Sequence, residues 1–294
     1  MELLETLRRK LESTEDMQSV VKTMKALAAV NIRHYERAVR SLTEYNRTIE
    51  MGLHIMMRNM VETPLLSEEI KYPKRMGAVV IGSEQGMVGQ FNERVSSFAI
   101  TKMNEMDIDK DNRTVLALGK RVAARLRDSE EPVEEEIPIF GSHSNITLKM
   151  REVMIRVEQW HLEQEIDQII IFYNKSSSLS SYQPEMIRML PLDIEWLKDL
   201  KDKKWESRCL PVLTMEWEDL FSSLIKQYIF VSLFRSYTES LASENASRLA
   251  SMQVAEKNIE EQLEILKSQF NHQRQTSITA ELLDIVAGFE ALTN

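Results

Sequence analysis

From Ala28 to Met56 the apolar positions alternate spacings of four and three: Ala28, Ile32, Tyr35, Val39, Leu42, Ile49, Leu53 and Met56, with Asn46 as the one polar member of the series. That spacing is the seam of a coiled-coil helix. Leu4, Leu7 and Leu11 open a similar stripe, whose phase slips between Met17 and Met24. Towards the other end, Leu249, Met252, Ile259, Leu263, Leu266 and Phe270 keep the same spacing, interrupted at Glu256. Ala242, Ala246 and Ala250 form a small-residue stripe that lets another helix approach closely. Between the two ends the pattern changes. Short apolar runs suited to buried strands occur at 77–82, 115–118 and 168–173 ("QIIIFY"). They are separated by helical patterns in "FNERVSSFAITKMNEM", "KRVAARLRDS" and "NITLKMREVMIRVEQWHLEQ". Strands alternating with helices predict a parallel sheet covered on both faces, with "MIRMLPL" (186–192) as an added edge strand.

The predicted fold class is therefore α/β with a long antiparallel coiled coil: terminal helices flanking a central Rossmann-like domain. The chain divides into an N-terminal helix (1–61), a linker (62–75), a central α/β domain (76–210) and a C-terminal helix with its tip (211–294). Glycine and proline support the division. The first of either is Gly52, and none occurs between Pro211 and Gly288, so the helix breakers concentrate in the middle. At about 1.5 Å per residue the two arms would be on the order of 80 Å and 115 Å long. If Met56 lies opposite Trp217, one-for-one stepping sets Met1 opposite Asn271 or His272. The segment "QRQTSITAELLDIVAGFEALTN" would then extend beyond its partner, leaving Leu282, Leu283, Ile285, Val286, Phe289 and Leu292 uncovered. A lone helix is marginal in water, so the pattern predicts a partner around that tip.

Composition narrows the function classes. The 294 residues are 43% hydrophobic and 28% charged, as expected of an ordered, soluble protein. A formal charge of -9 without a long basic block lowers the expectation of nucleic-acid binding. A single cysteine, Cys209, excludes an internal disulfide and fits a reducing compartment. No apolar run approaches the roughly 20 residues of a membrane span, and the charged start "MELLETLRRKLESTED" lacks a signal-peptide core. These features read as cytoplasmic.

The most suggestive motif is "IGSEQGMVGQFN" (81–92), a glycine-rich stretch directly after an apolar strand. A P-loop needs four residues between its glycines, followed by Lys-Ser/Thr; Gly82 and Gly86 have three between them, and Met87 and Val88 follow. The dinucleotide fingerprint needs glycines two and three apart, whereas Gly82, Gly86 and Gly89 are four and three apart. Glu84 would place a negative charge where a phosphate sits. The loop is expected to be a tight turn that packs a helix on the sheet, with no cofactor. The histidines are scattered and show no metal-ligand spacing. "GSHSN" (141–145) reads as a helix N-terminal turn, "EEPVEEE" (130–136) as a solvated edge and "NKSSSLSSY" (174–182) as a flexible loop.

Three segments in order resemble the gamma subunit of the F-type ATP synthases. "MQSVVKTMKALAAV" (17–30) is similar to the family's Gln-Ile-Thr-Lys-Ala-Met stretch, with Gln18, Lys22, Met24, Ala28 and Ala29 matching. "SEQGMVGQFN" resembles Ser-Asp/Glu-x-Gly-Leu-Cys-Gly-x-Phe/Leu-Asn, with Ser83, Glu84, Gly86, Gly89, Phe91 and Asn92 in place. "ASENASRLASM" and "RQTSITAELLDIVAGFEAL" resemble the C-terminal signature nearly position by position. Met87, Val88, Val30 and Asn31 depart from the common pattern in the manner of the alternate N-type ATPase subgroup.

The resemblance implies a non-catalytic rotor that transmits torque between a membrane c-ring and the alpha/beta catalytic hexamer, coupling ion translocation to ATP synthesis or hydrolysis. It implies an epsilon subunit as a further partner and a place on the cytoplasmic face of a bacterial plasma membrane. Arg274, Gln275 and Thr279 match the family's contacts with the catalytic subunits, as do Lys22 and Met24. Arg8 and Arg9, with Lys10, are positioned for acidic segments of beta, and Trp205 and Arg208 for the c-ring. Two other classes fit parts of the pattern: a coiled-coil scaffold whose arms pair between chains, and an α/β nucleotide-binding enzyme with dimerisation arms.

Overall fold

A computed structural model describes residues 2–58, 73–106, 108–139, 146–176, 182–205, 209, 211 and 214–293. The elements run α1 (Glu2–Arg58), β1 (Met76–Ile81), α2 (Phe91–Glu105), β2 (Arg113–Leu118), α3 (Lys120–Asp128), β3 (Val133–Ile137), α4 (Ile146–Glu163), β4 (Gln168–Ser176), β5 (Tyr182–Leu190), α5 (Ile194–Asp202) and α6 (Trp217–Thr293). They form two compact units, Val30–Ser247 and Met1–Ala29 with Arg248–Asn294. Each contains a stretch of α1 and a stretch of α6.

In the larger unit the sheet order is β3-β2-β1-β4-β5. The first four strands are parallel and β5 is an antiparallel edge strand. Strand β1 (MGAVVI) is buried at every position, which is why it reads as a continuous apolar run instead of an alternation. One face of the sheet meets α2 and α3 through Val95, Ala99, Met103, Val122 and Leu126. The other meets α4 through Val153, Val157 and Trp160, and α6 through Ile229, Leu233, Tyr237 and Leu241, with Tyr35 of α1 in the same cluster. Trp160 lies so close to β1 that a Cβ on Gly77 would come within 2.5 Å of its ring. The root of α6 has its own cluster, in which Ile49 and Leu53 of α1 meet Leu200 of α5 and Val231.

Two parts of this unit differ from the sequence reading. The acidic stretch 130–136 lies at an edge, as expected, but as a strand: it enters β3, the edge strand that pairs with β2 from Val133 to Ile137. Its carboxylates are partnered. Glu131, buried, faces Arg113 at 3.5 Å and Lys110 at 3.7 Å. Glu134 accepts the Trp160 indole N–H at 2.7 Å, while Glu135 and Glu136 pair with Arg156 and Arg127. An edge strand can carry such charges, and they discourage pairing with another chain. Helix α5 was not anticipated either; Asp193 caps it, accepting from the backbone N–H groups of Glu195 (2.9 Å) and Trp196 (3.1 Å). The segment "GSHSN", most of the linker and residues 177–181 lie outside the described residues.

The smaller unit is a pair of antiparallel helix stretches. Val21, Ala28, Met252 and Leu263 are buried, and the other seam positions are half-buried. Glu256, which breaks the apolar spacing, pairs with Lys25, and Glu15 pairs with Lys267 at 3.4 Å.

The expected register holds at its starting point and then drifts. Trp217 donates to the Met56 carbonyl at 3.5 Å. From the Tyr45–Gln227 bond to the Asn31–Asn245 bond, α1 steps fourteen residues while α6 steps eighteen. In the smaller unit, continuing from Glu15 and Lys267 sets Glu2 opposite about residue 280. The uncovered tip therefore starts about ten residues later than Asn271 or His272 would have set it.

Candidate functional site

The glycine loop follows β1 at the crevice where β1 and β4 diverge in connectivity, the place where doubly wound sheets bind nucleotides. The loop's polar side chains bond to the chain's own backbone and to one another. One Glu84 carboxylate oxygen accepts the Lys120 N–H at 3.2 Å, at the first turn of α3, and the Ile139 N–H at 3.1 Å. A helix N-terminus attracts anions, and the anion here is intramolecular. Ser83 and Asn92 bind reciprocally, the Ser83 N–H donating to Asn92 Oδ1 at 2.9 Å and Asn92 Nδ2 to Ser83 Oγ at 2.8 Å. Ser83 Oγ donates in turn to the Gln85 carbonyl at 2.8 Å.

The glycines serve packing and turning. A Cβ on Gly82 would lie 2.3 Å from Val122 Cβ, so only glycine lets α3 approach. Gly89 has φ +55° and Met87 φ +58°, which gives the loop its sharp turn. Gly86 is less constrained, its nearest neighbours being ordinary contacts with Arg121 at 3.6 Å or more. The loop also grips its surroundings. Ser247 of α6 donates to the Val88 carbonyl at 2.6 Å, and Asn174 of β4 donates to the Phe91 carbonyl at 3.0 Å. Phe91, at the head of α2, is fully buried, with the Tyr182 ring 5.5 Å away. The motif identified Ser83, Glu84 and Asn92; Ser247 and Asn174 were missed, because only the fold brings 83, 174 and 247 together.

The α6 stretch beside this loop is polar and yet buried: Ser236, Thr238, Ser240, Ser243, Glu244, Asn245 and Ser247 are all nearly inaccessible. Several bond to the carbonyl one turn back, as Ser236 does to Ser232 and Asn245 to Leu241. Burial pushes the Tyr237 phenol well above its usual range, reinforced by Glu244, Tyr35 and Glu84. Among the described residues no cluster of His, Cys, Asp or Glu could hold a metal ion.

The smaller unit holds the other candidates. Arg8 and Arg9 are exposed and pair with Glu12 (2.9 Å) and Glu5 (2.7 Å) on their own helix. Lys22, Arg274, Gln275 and Thr279 are exposed, Met24 is half-buried, and Thr279 Oγ1 donates to the Gln275 carbonyl at 2.9 Å. Stepping from the Glu15–Lys267 pair sets Arg8 at about the level of Arg274, which makes that level of the helix pair basic. Immediately beyond it Ile278, Leu282, Leu283, Ile285 and Val286 are each at least 50% exposed. In the larger unit, Trp205 is half-buried, its indole N–H donating to the Cys209 carbonyl at 3.0 Å and its ring edge-on to His54. Arg208 lies outside the described residues.

Comparisons with known proteins agree along the whole chain. It is 25% identical over 296 residues to the ATP synthase gamma chain of Buchnera aphidicola, covering 100% of this chain and 99% of that one. It is 29% identical over 308 residues to that of Syntrophus aciditrophicus, covering 99% of both chains. A chain in the Euglena gracilis mitochondrial ATP synthase (OSCP/F1/c-ring) has the same fold, with TM-score 0.69 and 19% identity over 99% of this chain and 95% of that one. A chain in the Tetrahymena thermophila mitochondrial ATP synthase (central stalk/c-ring) gives 0.56 and 18%, covering 80% and 99%. The family model described as ATP synthase matches residues 3–292, and the chain belongs to that family.

Proposed function

We propose that this chain is the central, non-catalytic rotor subunit of a rotary ATP synthase or ATPase. It transmits torque between a membrane c-ring and an alpha/beta catalytic hexamer. The supporting observation is the pair formed by an exposed apolar end, Ile278 to Val286, and an α/β body whose glycine loop is bound by its own chain. Five large apolar side chains left in water carry an unfavourable hydration term of about 25 cal/mol per Å2, and a sleeve of surrounding subunits removes it without directional bonds that would resist turning. Conformational bias then follows from differential contacts as the rotor presents different faces to each catalytic subunit. Bond-making belongs to those catalytic subunits.

In this reading Arg274, Gln275 and Thr279 contact the catalytic subunits, Arg274 as a bidentate partner for a carboxylate. Arg8, Arg9, Lys22 and Met24 belong to the same contact zone, and Trp205 to the c-ring side. The epsilon subunit completes the rotor. The complex sits peripherally on the cytoplasmic face of a bacterial plasma membrane, and no described helix is long and apolar enough to cross one. Met87 and Val88 in the glycine loop support placement in the N-type subgroup. The ion pairs that join α1 to α6 within one chain disfavour a scaffold with arms paired between chains.

Reconstitution tests the reading. Alpha and beta subunits are assembled with the full chain, with a chain ending at Ala280, or with none, and the hexamers are joined to their membrane sector. ATP-driven ion transport is expected with the full chain, a severalfold loss with the truncated one and none without it. Equal transport in all three would falsify the proposal.

A further inference from the structure

Helix α4 carries apolar residues on two faces. Met150, Val153, Val157 and Trp160 face the sheet and are buried in its core. A second line, Leu148, Ile155 and Leu162, recurs every seven residues on the outer side and is 62%, 58% and 78% exposed. Leu162 is more exposed than any other large apolar side chain among the described residues. A helix that packs through one face is ordinarily polar on the other, and aligned apolar side chains left in water mark a contact surface. Arg151 and Glu158 fall between the three, completing the alternation of threes and fours that characterises a helix seam. Arg151 is exposed and forms no ion pair with any described residue. Glu158 is 45% exposed and meets Lys226 of α6 at 3.5 Å. Glu152, the other carboxylate on this side, is held by Lys149 at 2.8 Å.

This order of residues is complementary to itself. In an antiparallel pair of α4 helices centred on Ile155, Ile155 meets its own copy and Leu148 meets the partner's Leu162. Arg151 then falls within one residue, about 1.5 Å, of the level of the partner's Glu158. A parallel pair would set arginine against arginine and glutamate against glutamate, which repel. Leu162 also borders an apolar groove of about 650 Å3 with Leu190, Leu192, Trp217 and Phe221, so the partner's Leu148 arrives at the mouth of that groove. We propose that the outer face of α4 is a self-association surface, on which two unassembled copies of this chain pair antiparallel. Twofold symmetry makes every contact twice, including the Arg151–Glu158 pairing. One helix face is smaller than the roughly 800 Å2 per partner of a standard interface, which sets the expected Kd at about 10–100 μM. The inference is independent of the rotor reading and concerns the chain before it joins other subunits.

The test is sedimentation equilibrium of the full chain over about 2–200 μM. The wild-type chain is expected to pass from monomer to dimer across that range. Ile155→Glu, at an exposed position in the central layer, should raise Kd about tenfold or more. Arg151→Glu and Glu158→Arg should each weaken the dimer similarly, because each sets like charges face to face at two places. An equimolar mixture of those two variants should regain the dimer, since opposite charges then meet again at both places. An unchanged urea midpoint shows that each variant is folded. Three results overturn the proposal: a wild-type chain that stays monomeric throughout, association that persists in the charge variants, as it would through the exposed apolar end of α6, or a mixture as monomeric as its two components.

Discussion

The two compact units use the same helices for opposite ends. In the larger one, α6 from Ile229 to Ser247 is covered closely enough that Ser236, Ser240, Ser243, Asn245 and Ser247 are all buried. In the smaller one, α6 from Arg248 onward buries Met252 and Leu263 fully, while Val254, Ile265, Ile278 and Leu283 stand at least half exposed. Both stretches are unbroken helix with neither glycine nor proline up to Ala287. The difference therefore lies in what surrounds them. A sheet, α4 and α1 cover the first, and a single partner helix covers one side of the second. A helix that leaves its apolar side chains in water is shaped for a surface that another chain supplies.

That comparison can be broken in several ways. The largest effect belongs to the tightly built unit. Gly82→Ala, with its Cβ 2.3 Å from Val122, should cost about 3 kcal/mol or more in urea denaturation of the isolated chain. Gly86→Ala, which meets only ordinary contacts, should cost less than about 0.5 kcal/mol. A similar loss at both would mean that the loop is not packed as described. Next, Leu233→Ala, fully buried against the sheet, should cost about 3 kcal/mol. Leu283→Ala, 63% exposed, should stay within about 0.5 kcal/mol in the isolated chain, yet weaken assembly with alpha and beta subunits. If Leu283→Ala destabilised the free chain as Leu233→Ala does, the tip would have a cover within its own fold.

Leu263→Ala probes the seam of the smaller unit and should cost about 2 kcal/mol. Hydrogen exchange should show the faster opening confined to that unit's amides. Alkali sharpens the contrast further, because all seven tyrosines lie between Tyr35 and Tyr237, inside the larger unit. Burial raises the Tyr173 phenol above its usual range, reinforced by the nearby Glu239 and by Glu185, which accepts its hydroxyl at 3.0 Å; Tyr237 is raised as well. A phenol raised in the folded state gives its full stability below the unfolded value near 10 and loses it as the pH climbs towards the folded value. Each should forfeit about 1 kcal/mol between pH 10 and about pH 11, read as a falling urea midpoint that flattens in Tyr173→Phe. The smallest effect is expected for Lys25→Ala. Its pairing with Glu256 is partly exposed and should contribute less than about 1 kcal/mol, diminishing in high salt.

Much of the architecture could be read before any contact was known. The 76 residues without glycine or proline between Pro211 and Gly288 announced the long second helix, and every seam position from Ala28 to Met56 is buried or half-buried. The glycine spacing departs from that of a phosphate loop, and the structure shows the loop's Glu84 accepting the Lys120 N–H at the start of α3. Strand β3 escaped notice because Glu134, Glu135 and Glu136 hide a strand that has only Val133 and Ile137 to offer as apolar positions. Its charges are matched by Trp160, Arg156 and Arg127, which come from elements the local pattern does not mention.

Periodicity, breakers and motif spacing are properties of neighbours along the chain, so the amino-acid order alone determined the two long helices and the strand-helix alternation between them. Residues far apart in sequence meet only once the sheet is assembled. Tertiary structure therefore decided that Ser247 and Asn174 bond to the carbonyls of Val88 and Phe91, that a run of serines is buried on α6, and that the helix register drifts between Tyr45 and Asn31. Such meetings depend on packing angles and on the distances between layers, which no spacing along a single chain encodes.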